Sequence, residues 1–286
     1  MASETAPRFT IVTPSFRSGE WLKLCIASVA DQEGPSFEHI VQDSCSDDAT
    51  LEWLPGDKRV QAYVEKDQGM YDAVNRGFRR ARGEILAYLN CDEQYVPGAL
   101  AVVDKYFKEH SNVDVVLGDA IIINPEGDYI CHRYAMRPVL AYTWLRFPML
   151  TCSMFLRRRV VEEHGVLFDT QWRDLGDVYW VHEILKRKIP IGILRYMTSI
   201  FTDTGENMNL SANANREKAI TKANAPAWTR TFKQLCVIHH RLRMLASGVF
   251  WQKPFEYALY TRENPKTRRI KLVAKPNAIW HGRPSP

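Results

Sequence analysis

Short apolar runs of strand length alternate with stretches of helical spacing through the first 120 residues. RFTIVT at 8–13 reads as a buried strand, closed by Pro14, Ser15 and Phe16. Trp21, Leu24, Cys25, Ala27, Ser28 and Val29 recur at helical spacing and predict a helix over 20–31. EHIVQ at 38–42 is a second strand, and it ends in the polar run Asp43-Ser44-Cys45-Ser46-Asp47-Asp48, where Ser46 and Asp47 are good helix caps. A short helix over 50–54 and a third strand over 60–65 follow. Asp67-Gln68-Gly69 marks a turn, and Ala73, Val74, Phe78 and Ala81 predict a helix over 70–81. EILAYL at 84–89 is a fourth strand that runs into Asn90-Cys91-Asp92-Glu93; a helix over 98–109 and a fifth strand over 113–118 complete the series. Such alternation predicts an α/β fold: a mainly parallel, Rossmann-like sheet flanked by helices. Polar clusters follow strands one to four, at the sheet edge where open α/β folds bind ligands.

The pattern loosens from Asn124 onward. Gly127-Asp128 is a hairpin signal between 121–124 and 129–133. A short helix over 141–147, a strand over 150–156, a helix over 159–165 ending on Gly165, a stronger helix over 177–188 and a strand over 191–201 are expected next. Residues 216–245 read as helical with a break at Pro226.

Composition narrows the class. The chain is 45% hydrophobic and 25% charged, which fits a folded globular protein and not a disordered one. Net charge is +5. Much of the excess sits late, in Lys266, Arg268, Arg269, Lys271, Lys275 and Arg283, a stretch without an acidic residue. Such a tail suits an anionic surface, and equally a solvated terminus. The six cysteines are scattered without a CxxC pair, which argues against a zinc ribbon and gives no disulfide framework. Reduced cysteines, the absence of a basic-then-apolar leader and the lack of an apolar run of about 18 residues lead to the expectation of a cytoplasmic protein without a spanning helix. No GxGxxG follows the first strand and no GxxxxGK[ST] occurs, so dinucleotide and P-loop chemistry are disfavoured.

Candidate chemistry lies at the strand ends. Asp92 after strand four is placed to ligate a divalent cation bridging to phosphates, although the same position suits a helix cap. Asp43 after strand two can accept from a nucleobase imide or a ribose hydroxyl, and Thr13, Pro14 and Ser15 after strand one can line the base pocket. Asp67 precedes a helix N-terminus, a site that favours an anion. Asp72 and Arg76 can pair at i,i+4; Arg76 or Arg80 could instead face a phosphate, with surface charge the favoured reading for Arg80. His132, His164 and His182 are isolated and assigned to no metal.

Together these segments resemble the family-two inverting glycosyltransferases of GT-A fold, the group that builds bacterial polysaccharides. FTIVTPSFRSGEWLKLCIASVADQ looks like that family's opening strand and helix, HIVQDSCSDDAT like its V-x-D-G-x-S-x-D-x-T segment, EKDQGMYDAVNRG like its D-x-G-x-x-x-A-x-N-x-G segment, and GEILAYLNCDE like the segment carrying its DXD motif. The resemblance is specific from residue 8 to 120 and thinner to 205. It implies a nucleotide-diphosphate sugar donor contacted by Thr13, Pro14, Ser15, Asp43, Asp67, Asn90, Cys91 and Asp92, with Asp92 holding Mn²⁺ or Mg²⁺. Asn90 departs from the first DXD carboxylate, Glu93 stands at the following acidic position, and Cys45 replaces a usual glycine. WRDLGDVYW looks like the segment of the general base, which assigns that role to Asp177 with Asp174 as the alternative. The turn at Gly205-Glu206-Asn207 is similar to a loop that closes over donor phosphates.

The implied organisation is a nucleotide-sugar-binding α/β half over 1–120, an acceptor-binding part of the same domain over 121–210, and a helical C-terminal extension with a basic tail over 211–286. The extension mixes apolar and basic residues from Phe232 to Tyr260 and can pack on the catalytic domain, form a homodimer, or lie peripherally on the inner face of a membrane. The acceptor is expected to be a saccharide or a lipid-linked saccharide, and no nucleic-acid partner is expected. A nucleotidyltransferase acting on a sugar phosphate and a catalytically inactive nucleotide-sugar-binding module are the competing functions.

Overall fold

The computed structural model describes residues 6–145, 147, 149–205 and 211–280. Their strands are β1 (Phe9–Ser15), β2 (Phe37–Asp43), β3 (Gln61–Val64), β4 (Ile85–Tyr88), β5 (Glu93–Tyr95), β6 (Val115–Ile123), β7 (Tyr129–Arg133), β8 (Met154–Arg157), β9 (Ile191–Thr202), β10 (Phe255–Thr261) and β11 (Asn264–Val273). Helices α1 (Gly19–Ala30), α2 (Thr50–Trp53), α3 (Met70–Arg80), α4 (Ala99–Glu109), α5 (Leu140–Thr143), α6 (Arg159–Glu162), α7 (Gly176–Lys186), α8 (Ala212–Asn224), α9 (Ala227–Thr231) and α10 (Lys233–Ala246) connect and cover them.

The main sheet runs β3-β2-β1-β4-β8-β6-β9-β5, with β7 also paired to β6. The β3-β2-β1-β4 segment and the β6–β9 pair are parallel, whereas β8, β5 and β7 run against their neighbours. Strand alternation sorts the core into two layers. Phe9, Ile11, Ile85 and Ala87 face one side, with Val29 of α1 and Leu100, Val103 and Phe107 of α4. Val12, Leu86 and Tyr88 face the other, with Val74 and Phe78 of α3 and Trp180, Val181 and Ile184 of α7. Gly77 lets α3 settle directly on β1, since a Cβ there would lie 2.3 Å from Val12 Cγ1.

On the α3/α7 side the Phe168 ring stacks on Trp180 at 4.4 Å and on Tyr71 at 4.9 Å, and meets Tyr88 edge-on at 5.5 Å. Each such pair contributes about 0.5–1.5 kcal/mol beyond its burial, so α7 is fixed to the sheet through rings that no local spacing announces.

The predicted helical extension is present as α8 to α10, broken at Pro226 as expected. Two features differ from the sequence reading. Glu93–Tyr95 forms a three-residue strand, too short for a periodic signal, against Ser199–Phe201 of β9. Residues 255–273 form an antiparallel hairpin, not the end of a helix and a loose tail. The reason is tertiary. Tyr257 and Leu259 alternate into the α1/α4 core, the Gln94 side-chain amide pairs with both backbone groups of Tyr260, and Arg268 binds Asp31 and three backbone carbonyls. Part of the basic tail is therefore consumed internally: Arg268 pairs with Asp31, Arg269 with Glu263 and Lys271 with Asp128.

Candidate active site

A cleft of about 1190 Å³ opens at the C-terminal ends of β1 and β4 and the start of α7. It gathers Pro14, Ser15, Asp67, Asn90, Cys91, Asp92, Asp174 and Asp177. Thr13 and Asp43 lie beneath it. Thr13 Oγ1 meets His39 Nε2 at 2.9 Å. Asp43 is fully buried, opposite Ser15 in the β1–β2 register, and accepts from Ser15 Oγ at 2.8 Å and from the backbone N–H and hydroxyl of Ser46 at 2.7 and 2.8 Å. Its carboxylate shapes the loop after β2 and holds Ser15, which itself faces the cleft. Cys45 keeps that loop in the left-handed region, with φ 57°.

Asp67 accepts from Gly69 N at 2.9 Å, which forms the predicted turn into α3, and its own N–H reaches Ser44 Oγ at 3.3 Å. Asp72 and Arg76 pair at 2.8 Å, as their spacing predicts, and Arg76 also meets Glu65 at 3.1 Å. Arg80 pairs with Glu65 and Gln42. Neither guanidinium lines the cleft.

The turn after β4 carries the densest oxygen chemistry. Glu93 is buried and accepts from Asn90 N at 2.7 Å, closing the turn on itself. Cys91 donates to the Pro14 carbonyl at 2.9 Å. Asp92 is half-buried at the cleft floor, its carbonyl bonded by Thr202. Burial raises the pKa of both Asp92 and Glu93, and Asp92 raises Glu93 further. Asn90 Oδ1 is buried without a hydrogen-bond partner, beside this carboxylate pair. Among the described residues no group of three or more His, Cys, Asp or Glu side chains could hold a metal ion. One carboxylate and one orphan amide oxygen nevertheless fit a hard cation that takes its remaining oxygens from phosphates and water.

Across the cleft, Asp177 stands in the first turn of α7, and its Oδ1 accepts from Val178 N at 2.8 Å. Burial raises its pKa to about 6, against the opposing pull of that N–H and of the Tyr71 hydroxyl. The dipole at the start of α7 favours an ionised carboxylate; burial outweighs it, and the group is still mostly ionised at pH 7. Gly176 permits this placement, because a Cβ there would lie 2.6 Å from the Tyr71 ring. Asp174 is engaged differently: its Oδ2 accepts from Ser211 Oγ at 2.6 Å and Asn213 Nδ2 at 2.8 Å.

Three residues of the site escape sequence reasoning. Glu217 of α8, buried, accepts from the backbone N–H groups of Arg173, Asp174 and Leu175 at 2.9–3.1 Å and so pins the loop that presents Asp177. Arg133 at the end of β7 faces the cleft with its guanidinium over the Trp280 ring, and burial lowers its pKa. Trp280 lines the same wall, edge-on to Phe201, with its indole N–H bonded to Asp203 at 2.7 Å. Each is fixed by residues 40 or more positions away, and no motif carries that information. Of the turn Gly205-Glu206-Asn207, the last two residues lie outside the described residues. His132 is buried and bonded to Tyr129 and Val249, His182 is buried against Trp144, and His164 is exposed.

Comparison with known proteins identifies the family and the fold. The model of Glycosyl transferase family 2 matches residues 10–166. A PGL/p-HBAD biosynthesis glycosyltransferase of Mycobacterium bovis is 36% identical over 216 residues, which cover 72% of this chain and 80% of the relative. Staphylococcus aureus TarS 1-349, solved with UDP-GlcNAc, superposes with TM-score 0.60 at 20% identity over 76% of this chain and 67% of that one. The mannosyltransferase PcManGT of Pyrobaculum calidifontis, solved with GDP-Man and Mn²⁺, gives TM-score 0.52 at 18% identity over 78% and 62%. The family match extends over more than half of the chain, ends before the loop that carries Asp174 and Asp177, and leaves α7 to α10 to be understood from their own contacts. The chain belongs to glycosyl transferase family 2 and has its GT-A-type fold.

Proposed function

We propose that the protein is an inverting glycosyltransferase that moves a sugar from a nucleotide-diphosphate sugar to a hydroxyl of a saccharide or lipid-linked saccharide, in polysaccharide or glycoconjugate biosynthesis. The observation that carries this reading is the placement of Asp177, with its pKa raised to about 6, on the same cleft as the Asn90–Asp92 turn. Asp177 takes the acceptor hydroxyl proton as that oxygen attacks the anomeric carbon from the face opposite the leaving group. The bond from the anomeric carbon to the diphosphate oxygen breaks, and its electron pair leaves with the nucleoside diphosphate. Asp92 and Asn90 Oδ1 would hold a Mn²⁺ or Mg²⁺ ion, which supplies Lewis-acid stabilisation of the diphosphate when bound. Ser15 and Asp67 line the nucleotide side, with Thr13 and Asp43 as its scaffold. Asp174, held by Ser211 and Asn213, supports the loop and does not serve as base.

The test is a panel of nucleotide sugars with Mn²⁺ or Mg²⁺, scored by nucleoside diphosphate release and by the anomeric configuration of the product. Release with inversion is expected, and Asp92→Ala should lower the rate by at least about a hundredfold while circular dichroism stays unchanged. A retained configuration, or a folded Asp92→Ala protein with full activity, would overturn the assignment.

A further inference from the structure

We propose that the outer face of α9 and α10 docks onto an anionic lipid bilayer. Trp228, Phe232, Leu235, Ile238, Leu242 and Leu245 recur at steps of three and four, and each is 46–61% exposed. The helical bonding runs through the junction of the two helices: Phe232 N donates to Trp228 O at 2.8 Å and Cys236 N to Phe232 O at 3.1 Å. One continuous apolar stripe results, with Cys236 and His240 buried on the opposite side. Phe250 and Trp251, 43% and 67% exposed, prolong the apolar surface past the helix end. Contiguous apolar surface of this kind marks an interaction site.

Charge selects the occupant. Residues 227–253 contain Arg230, Lys233, Arg241, Arg243 and Lys253 and no acidic residue. A second copy seated on this face would bring cations against cations, without the acidic partners that stabilise paired helices. An anionic headgroup layer complements the charge, and the acyl boundary beneath it takes up the apolar stripe and the aromatic side chains. Arg243 donates to the Arg137 carbonyl at 2.5 Å and so ties the helix to the body, while Arg230, Lys233, Arg241 and Lys253 are exposed. Among the described residues no helix is long and apolar enough to cross a membrane, so the contact lies in the plane of the surface. His240, on the inner side of α10, lines the catalytic cleft. The bilayer plane would then lie about one helix diameter, ~10 Å, from the cleft, within reach of an acceptor anchored in it. The docking face itself does not depend on the reaction proposed above.

Flotation of the full chain with vesicles of phosphatidylglycerol and phosphatidylcholine, and with phosphatidylcholine alone, tests this. The protein should float with the anionic vesicles and release as salt is raised. Leu235→Gln, Ile238→Gln and Leu242→Gln combined should lower binding at least about tenfold, as should Arg230→Gln, Lys233→Gln and Arg241→Gln combined on anionic vesicles. Both variants should keep the wild-type Tm, since the altered side chains are exposed. The proposal is overturned if the wild type does not float, if the stripe variant floats as well as the wild type, or if sedimentation shows a vesicle-indifferent dimer that the stripe variant dissociates.

Discussion

The two walls of the cleft are built by different means. On the proposed nucleotide side, three of the acidic residues have a bond within their own turn, Asp43 with Ser46, Asp67 with Gly69 and Glu93 with Asn90, although Ser15 also reaches Asp43 from β1 and Thr202 reaches the Asp92 carbonyl from β9. On the base side, the loop carrying Asp174 and Asp177 is held by Glu217, Ser211 and Asn213, which lie 37 to 44 residues downstream. Short-range hydrogen bonds survive as motifs. Long-range ones need only some residue of suitable chemistry at some distant position. The proposed nucleotide side thus rests largely on strand-end turns, while the loop of the proposed base is an assembly that requires α8 in place.

The largest expected effect separates chemistry from scaffolding on the base side. Asp177→Asn should lower kcat by about a thousandfold and raise the protein's stability at pH 8. The sign follows from the raised pKa. A carboxyl titrating near 6 when folded, against its ordinary 3.8, binds protons more tightly in the native state. Its contribution to stability is therefore greatest below about pH 3.8 and declines as pH rises through 6. Replacing it with a neutral isostere removes that penalty, worth about 3 kcal/mol as an upper bound. In the wild type, kcat should fall as pH drops through about 6. Thermal unfolding and a pH–rate profile check both halves. A variant that loses activity and stability together would show Asp177 to be structural.

Glu217→Gln sharpens the same contrast from outside the family-matched region. The buried carboxylate accepts three backbone N–H groups and the Asn213 amide. The replacement amide can turn only one oxygen toward them, so stability should drop by about 2–3 kcal/mol. The released loop should lower kcat about tenfold or more while KM for the donor stays nearly constant. Denaturant unfolding and steady-state kinetics read these outcomes. A selective rise in donor KM would mean that α8 serves the nucleotide wall instead.

This contrast also explains what could be read before the fold was known. The alternation of strands and helices from β1 to α4, and the acidic residues at the strand ends, follow from periodicity and turn chemistry and match the structure closely. Pro226 marked the helix break because its missing N–H acts locally. Phe255, Tyr257 and Leu259 alternate with the period of a strand, but a run of that length does not say what it pairs with; the placement of the β10–β11 hairpin comes from Gln94, Asp31 and α1, far off in sequence. Asp43 was legible as a polar residue at a strand end, while its burial beneath Ser15 required the β1–β2 register. Arg133 and Trp280 meet only because the chain returns across β7, where Asn277 is fixed by Tyr129 and His132.

The smallest expected effect lies where local sequence and local geometry disagree on the nucleotide side. Cys45 is exposed, yet it occupies φ 57°, a conformation that a side chain with a Cβ adopts at a cost of about 1 kcal/mol. Cys45→Gly removes that strain but enlarges the conformational freedom of the unfolded chain, which offsets roughly half of the gain. A net stabilisation of about 0.5 kcal/mol is therefore expected, with kcat unchanged, because the bonds from Ser46 to Asp43 are made by atoms the substitution leaves in place. Denaturant midpoints at constant m resolve a difference of that size. A destabilised Gly variant would mean that the Cys45 side chain itself holds the loop, and the nucleotide wall would then depend on more than its backbone turn.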